Sequence, residues 1–342
     1  MTTGYVYDPI YLEHDLPGHP ENKRRLETTM HLLEERGLLQ ELVNIPATPI
    51  ALDLLQGVHA PDYIDQVRRI AERGGGYLDL ETYIGPRSYQ AALIAAGGVV
   101  NALEAVLDGK VDNAFALVRP PGHHATRERG MGFCLLNNIA VAARYAMDRY
   151  ELERILIVDF DVHHGNGTQS IFYREQRVLY FSIHQYPFYP GTGHWSEAGE
   201  GTGRGFTVNV PLPAEIGEEG YEQVFAELLY PLTKRYRPQL ILVSAGYDGH
   251  WADPLAGMQL SISGYARLTE ALKHLAEETC RGRLAFVLEG GYELEVLSWS
   301  VLATFQALLG QGEINDPLGP APRPSPPIDK LIESIKTLHG LE

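Results

Sequence analysis

The chain has 342 residues, of which 44% are hydrophobic and 21% charged, the composition of an ordinary soluble globular protein. Lys and Arg number 28 against 44 Asp and Glu, a formal charge of −16, which excludes a broad nucleic-acid footprint because phosphate neutralisation needs a basic face. Two cysteines exclude a disulfide framework, and Met1 to Pro20 lacks the apolar core of a signal peptide, so a reduced, cytoplasmic setting is expected. No run of about 18 apolar residues is expected to span a membrane.

Taken in chain order, Leu26, Leu32 and Leu33 predict an amphipathic helix over Asn22–Arg36. A second helix is expected over Pro61–Arg73, with Pro61 in its first turn. Ser88–Leu107 is rich in alanine and reads as a long buried helix. Ala114–Val118 reads as a buried strand and Asn138–Tyr150 as a helix. Strands follow at Arg154–Asp159, Val178–Ile183 and Phe206–Val210. Helix Gly220–Tyr236, strand Leu240–Ser244, helix Ser263–Thr279, strand Leu284–Leu288 and helix Glu293–Leu309 complete the alternation. Short apolar strands alternating with helices imply an α/β fold, a doubly wound parallel sheet with helices on both faces. One domain is expected over residues 1–315. Residues 316–342 add the proline-rich spacer "DPLGPAPRPSPP" and a short helix at Ile328–Leu338, which offers a surface for a homo-oligomer contact.

In such sheets ligands sit beyond the carboxyl ends of the strands, so residues directly after a strand carry the argument. Strand Arg154–Asp159 runs into "DFDVHHGNGTQ". Asp161 and His163 are two apart and share a face in extended geometry, a carboxylate and an imidazole suited to Zn²⁺. Asp159 shares that period, either supporting the pair or holding a hard cation. Asp248, after the Leu240–Ser244 strand, supplies a second carboxylate, which leaves an open coordination position, as catalytic zinc requires. His250 is expected at the rim or solvated. His123 and His124 follow the strand at Ala114–Val118; one imidazole can act as base while the other stays charged. Tyr292, after Gly290 and Gly291, can direct a hydroxyl at a tetrahedral oxyanion. Each feature alone has a bland explanation, but all four converge on strand ends.

Together the motifs "HPENKRRL", "VHAPDYI", "RPPGHHA", "GFC", "DFDVHHGNGTQ", "FSIH", "YPGTG", "AGYDGHWADPLAG" and "EGGY" resemble those of the histone deacetylase and acetylpolyamine amidohydrolase superfamily, from about Tyr5 to about Leu309. The resemblance implies the arginase/deacetylase-type fold and a zinc-dependent deacetylase acting on acetyl-lysine or a similar short acyl-amine. It implies Asp161, His163 and Asp248 as zinc ligands, His124 as general base and acid with His123 beside it, and Tyr292 polarising the carbonyl. Asp159 is expected to orient His123. Asn166, where some members carry Asp, is expected to orient His124, a pattern resembling class II. Gly132, Phe133, Phe188, Tyr189, Leu255 and Gly290 are expected around the substrate. The family's structural K⁺ is expected at Asp159, Asp161, His163, Ser182 and Ile183, and a second at Phe172, Glu175 and Val178. Arg25 matches an internal arginine linked to acetate exit.

Three rivals are weighed. A two-manganese ureohydrolase needs further carboxylates where Gly165 and His250 stand. An acetylpolyamine amidohydrolase shares the catalytic set, but one polyamine-selective branch carries a Glu where Leu255 stands. A non-catalytic acyl-lysine binding protein conflicts with an intact catalytic set. The donor set alone does not separate zinc from iron.

Overall fold

In the computed structural model, which describes all residues except Glu313 and Glu342, ten strands are present. They are β1 (Thr3–Val6), β2 (Val43–Asn44), β3 (Gly76–Tyr77), β4 (Tyr83–Ile84), β5 (Asn113–Ala116), β6 (Ile155–Asp159), β7 (Val178–Gln185), β8 (Thr207–Leu212), β9 (Leu240–Ala245) and β10 (Leu284–Leu288). Eight form one sheet in the order β2-β1-β5-β10-β9-β6-β7-β8. Every pairing in it is parallel. Residues of β5, β6, β7, β9 and β10 are buried without alternation, as expected when helices cover both faces of a parallel sheet. The separate antiparallel pair β3–β4 forms a hairpin beside a cavity lined by Tyr77, Leu80 and Glu81 among others.

Helices at Arg24–Glu35, Pro61–Glu72, Ser88–Leu107, Asn138–Arg149, Ile262–Cys280 and Leu294–Leu309 fall where periodicity places them. Four short strands, β1 to β4, were not legible. In β1, Gly4 interrupts the apolar run because a Cβ there would lie 2.5 Å from Ile45 Cδ1. The expected helix Gly220–Tyr236 is instead helix Glu218–Val224, a π turn at Phe225–Leu229, and helix Tyr230–Tyr236. Pro231 offers no N–H and its ring crowds the carbonyl four residues back, so the turn before it widens.

Helix Ser88–Leu107 is, contrary to expectation, long and apolar enough to cross a membrane, but most of it is buried in the core. Its small residues permit close packing: a Cβ on Gly97 would meet the Thr48 carbonyl oxygen at 1.8 Å. The terminal segment lies on the chain's own body. Asp316 accepts the Ser263 N–H at the start of helix Ile262–Cys280, and Ser325 accepts the Gly217 N–H at 2.6 Å. Ile332 and Ile335, on helix Asp329–His339, are buried in the main core, where that helix covers the edge strand β8.

Candidate active site

Five contiguous strands, β5-β10-β9-β6-β7, direct their carboxyl ends to one place. The turn after β6 carries Asp161 and His163, and the turn after β9 carries Asp248. His163 Nδ1 lies 3.2 Å from Asp161 Oδ1 and 3.1 Å from Asp248 Oδ2. The donor atoms of these three residues lie within 4.8 Å of one another, and both carboxylates are buried. Two carboxylates so close in a dry site repel unless a cation sits between them. Burial opposes charge on His163, but its hydrogen bonds to Asp161 and Asp248 raise it to about 10. An O, N, O donor set of this kind fits Zn²⁺. Backbone donors hold the carboxylates in place: Asp161 Oδ2 accepts Gly290 N–H at 2.8 Å, and Asp248 Oδ1 accepts Val162 N–H at 3.1 Å.

The tandem histidines approach from the loop after β5. His123 Nδ1 lies 3.1 Å from Asp159 Oδ2, and His124 Nδ1 lies 2.8 Å from Asn166 Oδ1. The two buried rings differ in charge. Burial alone lowers His123, but the Asp159 and Asp161 carboxylates raise it to about 10. His124 is held well below the ordinary imidazole value by burial, then by the positive charges of His123 and His163. At neutral pH one ring is a fixed cation and the other a free base. Glu289, to which sequence reasoning gave no role, holds this loop by accepting the Gly122 N–H at 2.6 Å and the His123 N–H at 3.1 Å. Its position directly after β10 was the available signal.

Above these groups opens a cavity of about 460 Å³ lined by His124, Gly132, Phe133, His163, Phe188, Tyr189, Leu255 and Tyr292 among others. The Phe188 ring stacks on His163 at 5.3 Å. Gly132 and Phe133 have φ of +55° and +69°. A left-handed Phe is uncommon and is held here by its N–H bond to Thr82 Oγ1. A Cβ on Gly132 would strike the His124 ring at 2.4 Å. Burial, reinforced by the Asp248 and Asp161 charges, pushes the Tyr292 phenol well up, so it remains a hydrogen-bond donor at neutral pH.

Two residues, Gly290 and His250, sit elsewhere than expected. Gly290 is not part of the cavity wall; it abuts the carboxylates, and a Cβ there would lie 2.1 Å from Asp248 Oδ2. His250 is fully buried rather than at the rim or solvated, because residues 249–260 fold back so that Trp251 N–H meets the Leu260 carbonyl at 3.0 Å. Arg25 is buried under the Tyr292 loop and donates to the carbonyls of Gly291 at 2.7 Å and Glu289 at 2.6 Å. Glu21, between Arg25 and Arg119, offsets part of this interior charge.

Of the residues expected near K⁺, Asp159 and Ser182 are paired neighbours on β6 and β7, with Ile183 next in line. Asp159 Oδ1 accepts the Asp161 N–H at 3.2 Å. Phe172, Glu175 and Val178 lie together at the turn leading into β7. There the Phe172 carbonyl accepts the Glu175 N–H, and the Glu175 carboxylate is turned to Arg177 at 2.7 Å.

Comparison with known proteins gives one answer. A family model of the histone deacetylase domain matches residues 19–308. A "Probable deacetylase" of Archaeoglobus fulgidus is 42% identical over 314 residues, 91% of this chain and 87% of the relative. The "Histone deacetylase-like amidohydrolase" of Pseudomonas aeruginosa is 41% identical, over 92% of this chain and 82% of its own. "Polyamine deacetylase HDAC10" of Homo sapiens is 40% identical, over 94% of this chain and 49% of its own. The crystal structure of the HDA15 HD domain superposes with a TM-score of 0.91 at 36% identity, covering 99% of this chain and 96% of that one. The match spans the whole strand-end constellation from His123 to Tyr292 on an arginase/deacetylase-type α/β fold, and the chain belongs to the histone deacetylase family.

Proposed function

We propose that this protein is a zinc-dependent deacetylase that hydrolyses the amide of acetyl-lysine, or of a similar short acyl-amine, to free amine and acetate. Deacetylase chemistry is common to the names of the relatives. The observation that carries the finer reading is the meeting of Asp161, His163 and Asp248 with a neutral His124 at the base of one cavity. Zinc held by those three residues supplies Lewis-acid polarisation of the carbonyl and of water. His124 Nε2, its opposite nitrogen fixed by Asn166, accepts a proton from the attacking water. The oxyanion that forms is met by the Tyr292 hydroxyl. The protonated His124 returns that proton to the leaving amine. His123 remains an imidazolium beneath it, stabilising negative charge in the transition state. The Phe133, Phe188 and Tyr189 rings enclose the alkyl chain and exclude water. Structural K⁺ at Asp159 and Ser182, with backbone oxygens nearby, belongs to the same proposal, as does a cytoplasmic setting.

Leu255 lies in the cavity wall and favours an acyl-lysine chain. Glu81 at the same mouth favours a second reading, an acetylated polyamine with a distal ammonium group. The test is acetate release by zinc-loaded protein from an acetyl-lysine peptide and from N-acetylated polyamines. Higher kcat/KM on the peptide is expected. Preference for the polyamines overturns the lysine assignment, and no turnover of either overturns the deacetylase assignment.

The state of His124 gives a pH prediction. Its folded pKa is low, and only the neutral ring can accept a proton, so activity is present above that pKa and lost as pH falls through it. Asn166→Asp places a carboxylate against Nδ1 and raises the pKa. The acid limb of the pH–rate profile is expected to move to higher pH by about one unit or more. An unmoved limb contradicts Asn166 as the partner of the base.

A further inference from the structure

We propose that Asp253 is a positioning residue for the reaction, fixing Tyr292 and the cavity wall at Leu255 through one carboxylate. The inference rests on the reading of Tyr292 given above. Asp253 belongs to the segment after β9 and is 5% exposed. Its Oδ2 accepts the Tyr292 N–H at 2.7 Å and the Glu293 N–H at 3.1 Å. Its Oδ1 accepts the Leu255 N–H at 3.0 Å. All three donors are backbone groups, and among the described residues no Lys, Arg or His pairs with this carboxylate. The carboxylate is therefore committed to holding two loops together, one from β9 and one from β10.

Holding is needed here. Tyr292 follows Gly290 and Gly291, and Gly291 has φ of +115°, so the turn has little conformational restraint of its own. Arg25 grips its carbonyl side at Glu289 and Gly291. Asp253 grips its N–H side. Between the two clamps the backbone at Tyr292 is fixed on both edges, immediately before Glu293 caps helix Leu294–Leu309 through the Val296 N–H at 2.7 Å. Release of the Asp253 clamp leaves the phenol attached to a glycine pivot. A displacement of about 1 Å in a group that must meet an oxyanion can cost about 100-fold in rate.

The competing explanation is a purely structural tie, which would destabilise the protein without regard to Tyr292. A double-mutant comparison separates the two. In otherwise unaltered zinc-loaded protein, Asp253→Ala is expected to lower kcat by about 10- to 100-fold with KM changed by less than about threefold. In a Tyr292→Phe background the same substitution is expected to cost less than about twofold, because the hydroxyl it positions is already gone. Should Asp253→Ala fail to fold, as judged by thermal unfolding, Asp253→Asn carries the same comparison. It keeps the volume but leaves one oxygen to serve donors on both sides. Equal losses in the two backgrounds overturn the positioning role of Asp253 alone. A Tyr292→Phe protein with unchanged kcat overturns the reading of Tyr292 itself, and the role of Asp253 with it.

Discussion

His124→Ala is expected to reduce kcat about 1000-fold while leaving bound zinc and the fold unchanged. The size follows from removing a positioned general base, which contributes about 10²- to 10⁴-fold. Selectivity follows from the geometry. His124 is tied to Asn166, not to Asp161 or Asp248, so its loss leaves the metal-holding group intact. His123→Ala is a different experiment. His123 contacts Asp159 at 3.1 Å, and removing it leaves a buried carboxylate without its partner. Steady-state kinetics alongside bound zinc per chain checks the prediction. A His124→Ala protein with more than about a tenth of normal kcat removes this residue from the role of base.

Gly290→Ala is expected to abolish turnover through a single methyl group. The new Cβ would fall 2.1 Å from Asp248 Oδ2 and 2.6 Å from Asp161 Oδ2. Neither oxygen is free to retreat. Asp161 accepts backbone donors from His163 and Gly290, and Asp248 accepts one from Val162. Both carboxylates must shift off His163, and zinc affinity should fall by about 100-fold, the upper end for loss of a group that orients metal ligands. Competition against a zinc chelator of known affinity measures this. Normal zinc affinity in a folded Gly290→Ala protein contradicts the placement of the carboxylates.

Much of this was legible in the sequence because the chemistry stands where apolar runs stop. β6 and β9 each open with four apolar residues, so the residues that follow announce themselves. Asp161, His163 and Asp248 were readable for that reason, although Asp248 comes from a distant part of the chain. Less legible were groups whose role is to hold backbone. Asp253 was quoted within a motif, but its hydrogen bonds go to Tyr292 and Glu293, some forty positions away, and no local pattern records that. Glu21 was hidden for the same reason, whereas Glu289 stood directly after β10 and only its partners, the Gly122 and His123 N–H groups, were out of local reach. His250 was misjudged because its burial depends on residues 249–260 folding back on themselves, which periodicity does not encode. The apolar helix at Ser88–Leu107 shows the reverse ambiguity: its length and hydropathy fit a membrane span, while its alanine content and the packing of its glycines against Thr48 and Tyr11 mark a core helix.

The central claim is that metal held by Asp161, His163 and Asp248 is required for acetate release from an acetylated amine. The most direct test is to assay the preferred substrate with one preparation as purified, after exhaustive chelation, and after zinc is returned. Turnover lost on chelation and restored by about one zinc per chain is the expected result. Undiminished turnover by chain shown to be metal-free would contradict the account, whatever substrate was used.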